Sequence, residues 1–186
     1  MALTYTPAGA IGAGLPDFNL AAVDGRKVRR EDYRRMKPKA LVVMFICNHC
    51  PYVQAIEDRL IALAHEYYKK GVGFMGVCSN DATSHPDDAP AALFERWKSK
   101  NYGFPYLIDE DQNLARAFGA VCTPDLYIFD STEKLRYRGR LDDSWKNPGQ
   151  VKRQELKEAL EAILAGKALP EPQNPSMGCS IKWKNG

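Results

Sequence analysis

Nowhere in this chain of 186 residues does an apolar run approach the roughly 18 residues that a membrane-crossing helix needs, so a membrane-spanning protein is not expected. Cysteine is scarce too. Cys47, Cys50, Cys78, Cys122 and Cys179 form an odd, sparse set, unlike the framework of a small secreted domain. Net charge is small, because 26 Lys and Arg against 23 Asp and Glu leave +3. That bias does not call for nucleic acid or an anionic membrane as a partner. The stretch Met1–Gly14 lacks the basic start and continuous apolar core of a secretory signal. A cytoplasmic protein with reduced thiols is therefore expected. Repeats and low-complexity blocks are absent as well. What is present is 45% hydrophobic and 26% charged residues, the balance of a globular chain with a real core. The length suits one domain.

Hydrophobic patterning orders the elements. Residues Asp17–Val23 alternate loosely and run into Asp24–Gly25, a hairpin-type turn. The basic segment from Arg26 to Lys39 carries only Tyr33 as an aromatic, so it reads as a solvated turn and short helix rather than a single-strand binder. Leu41–Ile46 is unbroken apolar sequence, as in a central strand covered on both faces. Pro51 then opens a helix whose apolar positions are Val53, Ile56, Leu60, Leu63, Ala64 and Tyr67, stopped at Gly71. Val72–Cys78 is a second strand, completing a βαβ unit. A helix over 87–100, a strand over 106–108, a short helix over 112–118, a strand over 125–130 and its hairpin partner over 134–139 follow. Leu156, Leu160, Ile163 and Leu164 mark a last amphipathic helix, ended by Gly166. One α/β domain with a central mixed sheet accommodates all of these.

Chemistry concentrates in Cys47–Asn48–His49–Cys50–Pro51, at the junction of an apolar strand and a helix. Thiols at i and i+3 can close a disulfide with little backbone movement. Free N–H groups and the positive end of a helix stabilise a thiolate. Cys47 is therefore expected to be the low-pKa nucleophile at the exposed helix edge, and Cys50 the resolving thiol one turn further in. His49, next to the second cysteine, is expected to favour the thiolate as imidazolium. A metal site is the first rival. It fails because structural zinc wants four ligands, usually in spaced pairs, and the remaining cysteines are singletons. No metal and no cofactor are expected. Asp142 and Asp143 read as a solvated turn rather than paired catalytic carboxylates, and His65 and His85 as surface residues.

The same CxxC behind an apolar strand, with Thr123–Pro124 just ahead of the 125–130 strand, resembles the thioredoxin superfamily. The wider pattern resembles the peroxiredoxin-like subgroup of the alkyl hydroperoxide reductase/thiol-specific antioxidant (redoxin) family. It is carried by Phe45-x-Cys-Asn-His-Cys-Pro-Tyr-Val53, Cys78–Ser–Asn–Asp81, Cys122–Thr–Pro–Asp125, Tyr137–Arg–Gly139 and Gly178–Cys–Ser–Ile–Lys–Trp–Lys184, and covers roughly residues 15–184. The resemblance implies a thioredoxin-like fold: a central mixed β-sheet flanked by helices, with an N-terminal β-hairpin extension and a C-terminal tail. It divides the chain into an extension (1–14), the redoxin domain (15–169) and a tail packed on it (170–186). It further implies a cis Thr123–Pro124 bond, the only bond type in which cis is cheap, and a substrate-binding edge at Cys122, Thr123 and Pro124, with Cys122 near the active-site surface. The implied activity is thiol–disulfide exchange with a disulfide-containing protein or small molecule, reset by a cellular thiol reductant. A thiol-dependent peroxidase using Cys47 and a non-enzymatic binding module are the alternatives.

Two departures bear on the chemistry. Neither register of the motif supplies the Pro-x-x-x-Thr/Ser-x-x-Cys of typical peroxiredoxins, since the residues in question are Ala40, Val43, Met44 and Cys47. Nor does Ala40–Ile46 carry the buried acid that typical thioredoxins keep on this strand, so the proton acceptor must come from elsewhere. In the tail, Ile181 and Trp183 alternate with Lys182 and Lys184, which predicts a strand-like anchor with Trp183 buried. Cys179 is then either a third thiol relaying the disulfide or an inert small residue packed against the domain.

Overall fold

The computed structural model describes residues 3–184. Its main sheet has seven strands in the order β3-β2-β6-β5-β4-β8-β9. These are β2 (Asn19–Ala22), β3 (Lys27–Arg29), β4 (Ala40–Phe45), β5 (Val72–Cys78), β6 (Tyr106–Ile108), β8 (Asp125–Asp130) and β9 (Leu135–Gly139). β4 lies parallel to β5 and antiparallel to β8. Five helices are α1 (Arg30–Met36), α2 (Pro51–Tyr68), α3 (Pro90–Ser99), α4 (Asn113–Phe118) and α5 (Glu155–Leu164). A second, three-stranded sheet, β1-β10-β7, joins β1 (Leu3–Tyr5), β10 (Met177–Ser180) and β7 (Cys122–Thr123).

β4 is apolar throughout because it has two insides. Ala40, Val42 and Met44 pack with Val53, Ile56, Leu60 and Leu63 of α2 and with Leu156 and Leu160 of α5. Leu41, Val43 and Phe45 pack on the other face with Tyr33 of α1 and with Leu114 and Ala115 of α4. Burial at about 25 cal/mol per Å² on both faces makes this strand the rigid base from which the next residues project. α2 ends as expected near Gly71, whose φ of +85° suits a residue without Cβ. A buried ion pair ties β8 to β9: Arg138 Nη2 donates to Asp125 Oδ2 over 2.7 Å, with the two side chains 4% and 0% exposed.

The tail differs from expectation. The strand falls at Met177–Ser180 rather than over Ile181–Lys184, and Trp183 is 37% exposed, with Arg116 stacked 4.6 Å from its ring. Ile181 alone is the buried apolar anchor there, at 3% exposure. Gly178 explains the placement. A Cβ there would overlap the Thr123 carbonyl oxygen, so only glycine lets β10 approach β7 this closely. Further polar clamps hold the segment, with Lys182 N donating to Asn80 Oδ1 over 2.8 Å and Gln112 Nε2 to the Lys182 carbonyl over 2.8 Å.

Candidate active site

The motif lies in the turn between the end of β4 and the start of α2. Its local geometry follows from Pro51. The proline ring disfavours helical backbone in the residue before it, and Cys50 is accordingly extended, with φ −78° and ψ 118°. The helix therefore starts after the motif, with Pro51 at its first position. Cys50, not Cys47, is the N-cap residue.

This placement corrects the expected exposure of Cys47. Cys47 is not at an exposed edge; it is 2% exposed and Cys50 is 0%. The Cys50 thiol is lowered from the usual range, first by its contact with the Cys47 thiol and then, against desolvation, by Cys179 and by the Val53 N–H at the helix end. Cys47 is pushed well above the usual thiol range, first by donating to Cys50, then by burial and by the nearby Asp88 carboxylate. The two thiols are thus pushed in opposite directions, Cys50 down and Cys47 up.

Thr123 links both sulfurs to the strand before the proline. Its hydroxyl oxygen is 3.1 Å from Cys47 Sγ, and its carbonyl oxygen is 3.2 Å from Cys50 Sγ. The Thr123–Pro124 bond is cis. The backbone edge at Cys122–Thr123 is taken by β10 of the same chain, with Cys179 opposite Thr123 and Ser180 opposite Cys122. Cys122 does not reach the surface. It is 0% exposed, and burial pushes its thiol up to about 12. Cys78 is also buried, and desolvation raises its thiol. Cys179 is brought to the motif, its Sγ 3.1 Å from Cys50 Sγ.

His49 touches an acid that the sequence reading missed. Its Nδ1 is 2.5 Å from Asp88 Oδ2, and Asp88, in a short turn at Pro86–Asp88 ahead of α3, is 2% exposed. Asp88 Oδ1 accepts the backbone N–H of Asn48 over 2.7 Å and of His49 over 3.3 Å, while Asn80 Nδ2 donates to Oδ2 over 2.8 Å. The buried acid absent from β4 therefore arrives from a loop. Nδ1 is engaged by Asp88, while Nε2 has no hydrogen-bond partner among the described residues. The ring of His85 lies 4.6 Å from that of His49, so His85 borders the site rather than standing apart on the surface. His85 is lowered, first by desolvation and then by the His49 charge.

Ligand-type atoms of Cys47, His49 and Asp88 lie within 4.8 Å of one another, the one such group among the described residues. Three donors fall short of the four of a structural zinc site, and both oxygens of Asp88 already accept hydrogen bonds. Asp142 and Asp143 are not a solvated pair: Asp142 is buried against Arg59, and Asp143 accepts the Lys152 N–H over 2.9 Å. A cavity of about 250 Å³ beside the motif is bounded by Tyr52, Ile56, Pro124, Trp145 and Met177. Tyr52 and Trp145 pack against each other on its wall, with ring centroids 4.3 Å apart and planes tilted by 41°.

The profile of the AhpC/TSA family matches residues 11–138. A solved structure from Geobacillus kaustophilus, described as an uncharacterized conserved protein, is 45% identical over 100% of this chain and 98% of its own, with a TM-score of 0.94. A hypothetical protein from Sinorhizobium meliloti is 35% identical over 98% of this chain and 100% of its own, with a TM-score of 0.91. The thiol-disulfide oxidoreductase ResA of Geobacillus thermodenitrificans is 25% identical over 162 residues, 86% of this chain and 82% of that protein.

Proposed function

The chain belongs to the AhpC/TSA family, and within it we propose that it works as a thiol–disulfide oxidoreductase through Cys47 and Cys50. The observation that carries this reading is that both motif sulfurs meet Thr123 at the N-terminus of α2, Cys47 Sγ 3.1 Å from its hydroxyl and Cys50 Sγ 3.2 Å from its carbonyl oxygen, with Cys50 the thiol that is lowered. A thiolate is the nucleophile of exchange. Cys50 attacks one sulfur of a substrate disulfide, and the other sulfur leaves as thiolate. Cys47 then loses its proton and attacks Cys50, releasing the second substrate thiol and closing the Cys47–Cys50 disulfide. His49 and Asp88, both with atoms within 4.8 Å of Cys47 Sγ, are the groups that take that proton. A cellular thiol reductant returns the pair to dithiol.

The substrate is a disulfide-containing protein or small molecule. Both sulfurs are covered, so an outside disulfide reaches them only when neighbouring residues move. The cavity at Tyr52, Pro124 and Trp145 is the approach we assign to it. Pro124 bounds it, and Thr123, the residue before, meets the two sulfurs. No helix among the described residues is long and apolar enough to cross a membrane. The sparse, odd cysteine set supports a cytoplasmic setting.

Reduction of a disulfide-bonded protein such as insulin by a dithiol tests the reading. The wild type should accelerate it at least tenfold over Cys50→Ser. Equal rates would overturn the proposal. Peroxide consumption measured alongside separates the peroxidase alternative, which would gain if peroxide turned over faster than the disulfide.

A further inference from the structure

Cys50 has two thiol neighbours. Cys47 precedes it in the motif, and Cys179 comes from the tail with its Sγ 3.1 Å away. A disulfide bond is about 2.05 Å long, so linking Cys50 to Cys179 asks for a sulfur displacement of only about 1 Å. The approach is built into the backbone. Cys179 sits in a β-ladder opposite Thr123, the residue whose carbonyl also meets Cys50 Sγ, and Gly178 allows that ladder to close. β1 covers the other side of β10, pairing Leu3 with Cys179. Ile181 and the hydrogen bonds to Asn80 and Gln112 hold the following residues.

We propose that Cys50 is a pivot shared by two disulfides, so that the oxidised protein passes its disulfide from Cys47–Cys50 to Cys50–Cys179. The proposal rests on the exchange reading of Cys47 and Cys50. Cys179 loses its proton, and its sulfur attacks Cys50 Sγ. The Cys50–Cys179 bond forms as the Cys47–Cys50 bond breaks, and the electron pair leaves on Cys47, which takes up a proton. One disulfide and one thiol stand on each side, so no outside oxidant or reductant is consumed.

The site favours this transfer in the oxidised state. In the dithiol form Cys179 is raised to about 12, first by burial and then by the hydrogen bond and charge of Cys50. Both Cys50 contributions vanish once Cys50 is in a disulfide, while Lys182 continues to favour the Cys179 thiolate. The Thr123 hydroxyl, 3.1 Å from Cys47 Sγ, can donate to the sulfur that departs. All three sulfurs are buried, so transfer among them needs no opening of the site, unlike exchange with an outside molecule. Its product ties the tail covalently to the start of α2 and returns Cys47 to a thiol beside His49 and Asp88.

Peptide mapping tests this on the whole chain. Trypsin places Cys47 and Cys50 together in residues 40–59 and Cys179 alone in residues 168–182. Protein oxidised briefly with diamide, quenched in acid, alkylated and digested should yield two products in the wild type. One is a 40–59 peptide with an internal disulfide, and the other is 40–59 cross-linked to 168–182. In Cys47→Ser the cross-linked product should become the dominant disulfide, and in Cys179→Ser it should disappear while the internal disulfide remains. An internal disulfide in the wild type with no cross-link in either the wild type or Cys47→Ser would overturn the pivot and leave the exchange reading intact. Absence of both linkages from the wild type would overturn both.

Discussion

Asp88 Oδ2 lies 2.5 Å from His49 Nδ1, joining a buried carboxylate from the turn before α3 to one of the two residues between the motif cysteines. The same carboxylate accepts the backbone N–H groups of Asn48 and His49, so it both orients the imidazole and shapes the turn. Asp88→Asn should therefore act in two ways. Loss of the negative charge removes one cause of the raised Cys47 pKa, so Cys47 alkylation should follow a pH profile shifted downward. Loss of charge-assisted hydrogen bonds should lower stability by about 1–3 kcal/mol in denaturant melts. An unmoved Cys47 profile would show that Asp88 only holds the turn.

The Cys50 thiolate should be visible as a titration. Ultraviolet absorbance of the thiolate should report one group with a midpoint near pH 5, where an ordinary thiol titrates at about 8.5. The acid form is neutral, so the charged nucleophile persists above that midpoint and is lost as pH falls through it. Cys47→Ala removes the largest stabilising donor and should raise the midpoint. A midpoint above pH 8 in the wild type would contradict the assignment.

Gly178→Ala should detach the tail. The added Cβ would meet the Thr123 backbone, which cannot rotate away as a side chain can. Overpacking of this kind costs about 1–3 kcal/mol. Cys179 should then be alkylated faster under native conditions, whereas unchanged protection would mean that β10 tolerates the methyl group.

Arg138→Met should be among the most damaging single changes away from the motif. Asp125 is fully buried, and Arg138 supplies its countercharge through two hydrogen bonds. Removing one partner of a buried pair costs about 3–5 kcal/mol. Adding Asp125→Asn to Arg138→Met should recover part of that loss in thermal or denaturant unfolding.

Much of the sheet was legible locally. The strands at 72–78, 106–108 and 125–130 fall where apolar runs end at Gly, Pro or charged residues, and α2 follows its helical apolar spacing. β1 was not legible, because Leu3–Tyr5 is largely exposed and its partner, Met177–Cys179, lies at the far end of the chain. The same holds for Asp88. Nothing in its own neighbourhood distinguishes it from Asp87, and only the fold turns it toward His49. Cys50 as N-cap was readable in principle, since Pro51 disfavours helix at the residue before it. Trp183 misled because alternation in a short tail resembles a buried strand, whereas glycine at 178 decides where close pairing occurs.

The account turns on Cys47 and Cys50 as a reversible couple whose reduced form is stabilised at the Cys50 sulfur, and its reduction potential tests that most directly. The measurement is best made on Cys179→Ser, where only this pair can link, by equilibration against glutathione and alkylation of the thiols. A stabilised thiolate favours the dithiol form, so the potential should lie above the value of about −270 mV found for thioredoxin. With one proton retained on Cys47 above pH 5, it should fall by about 30 mV per pH unit near neutrality, as a one-proton, two-electron couple does. A potential at or below thioredoxin's, or failure of the two thiols to link reversibly, would contradict the account.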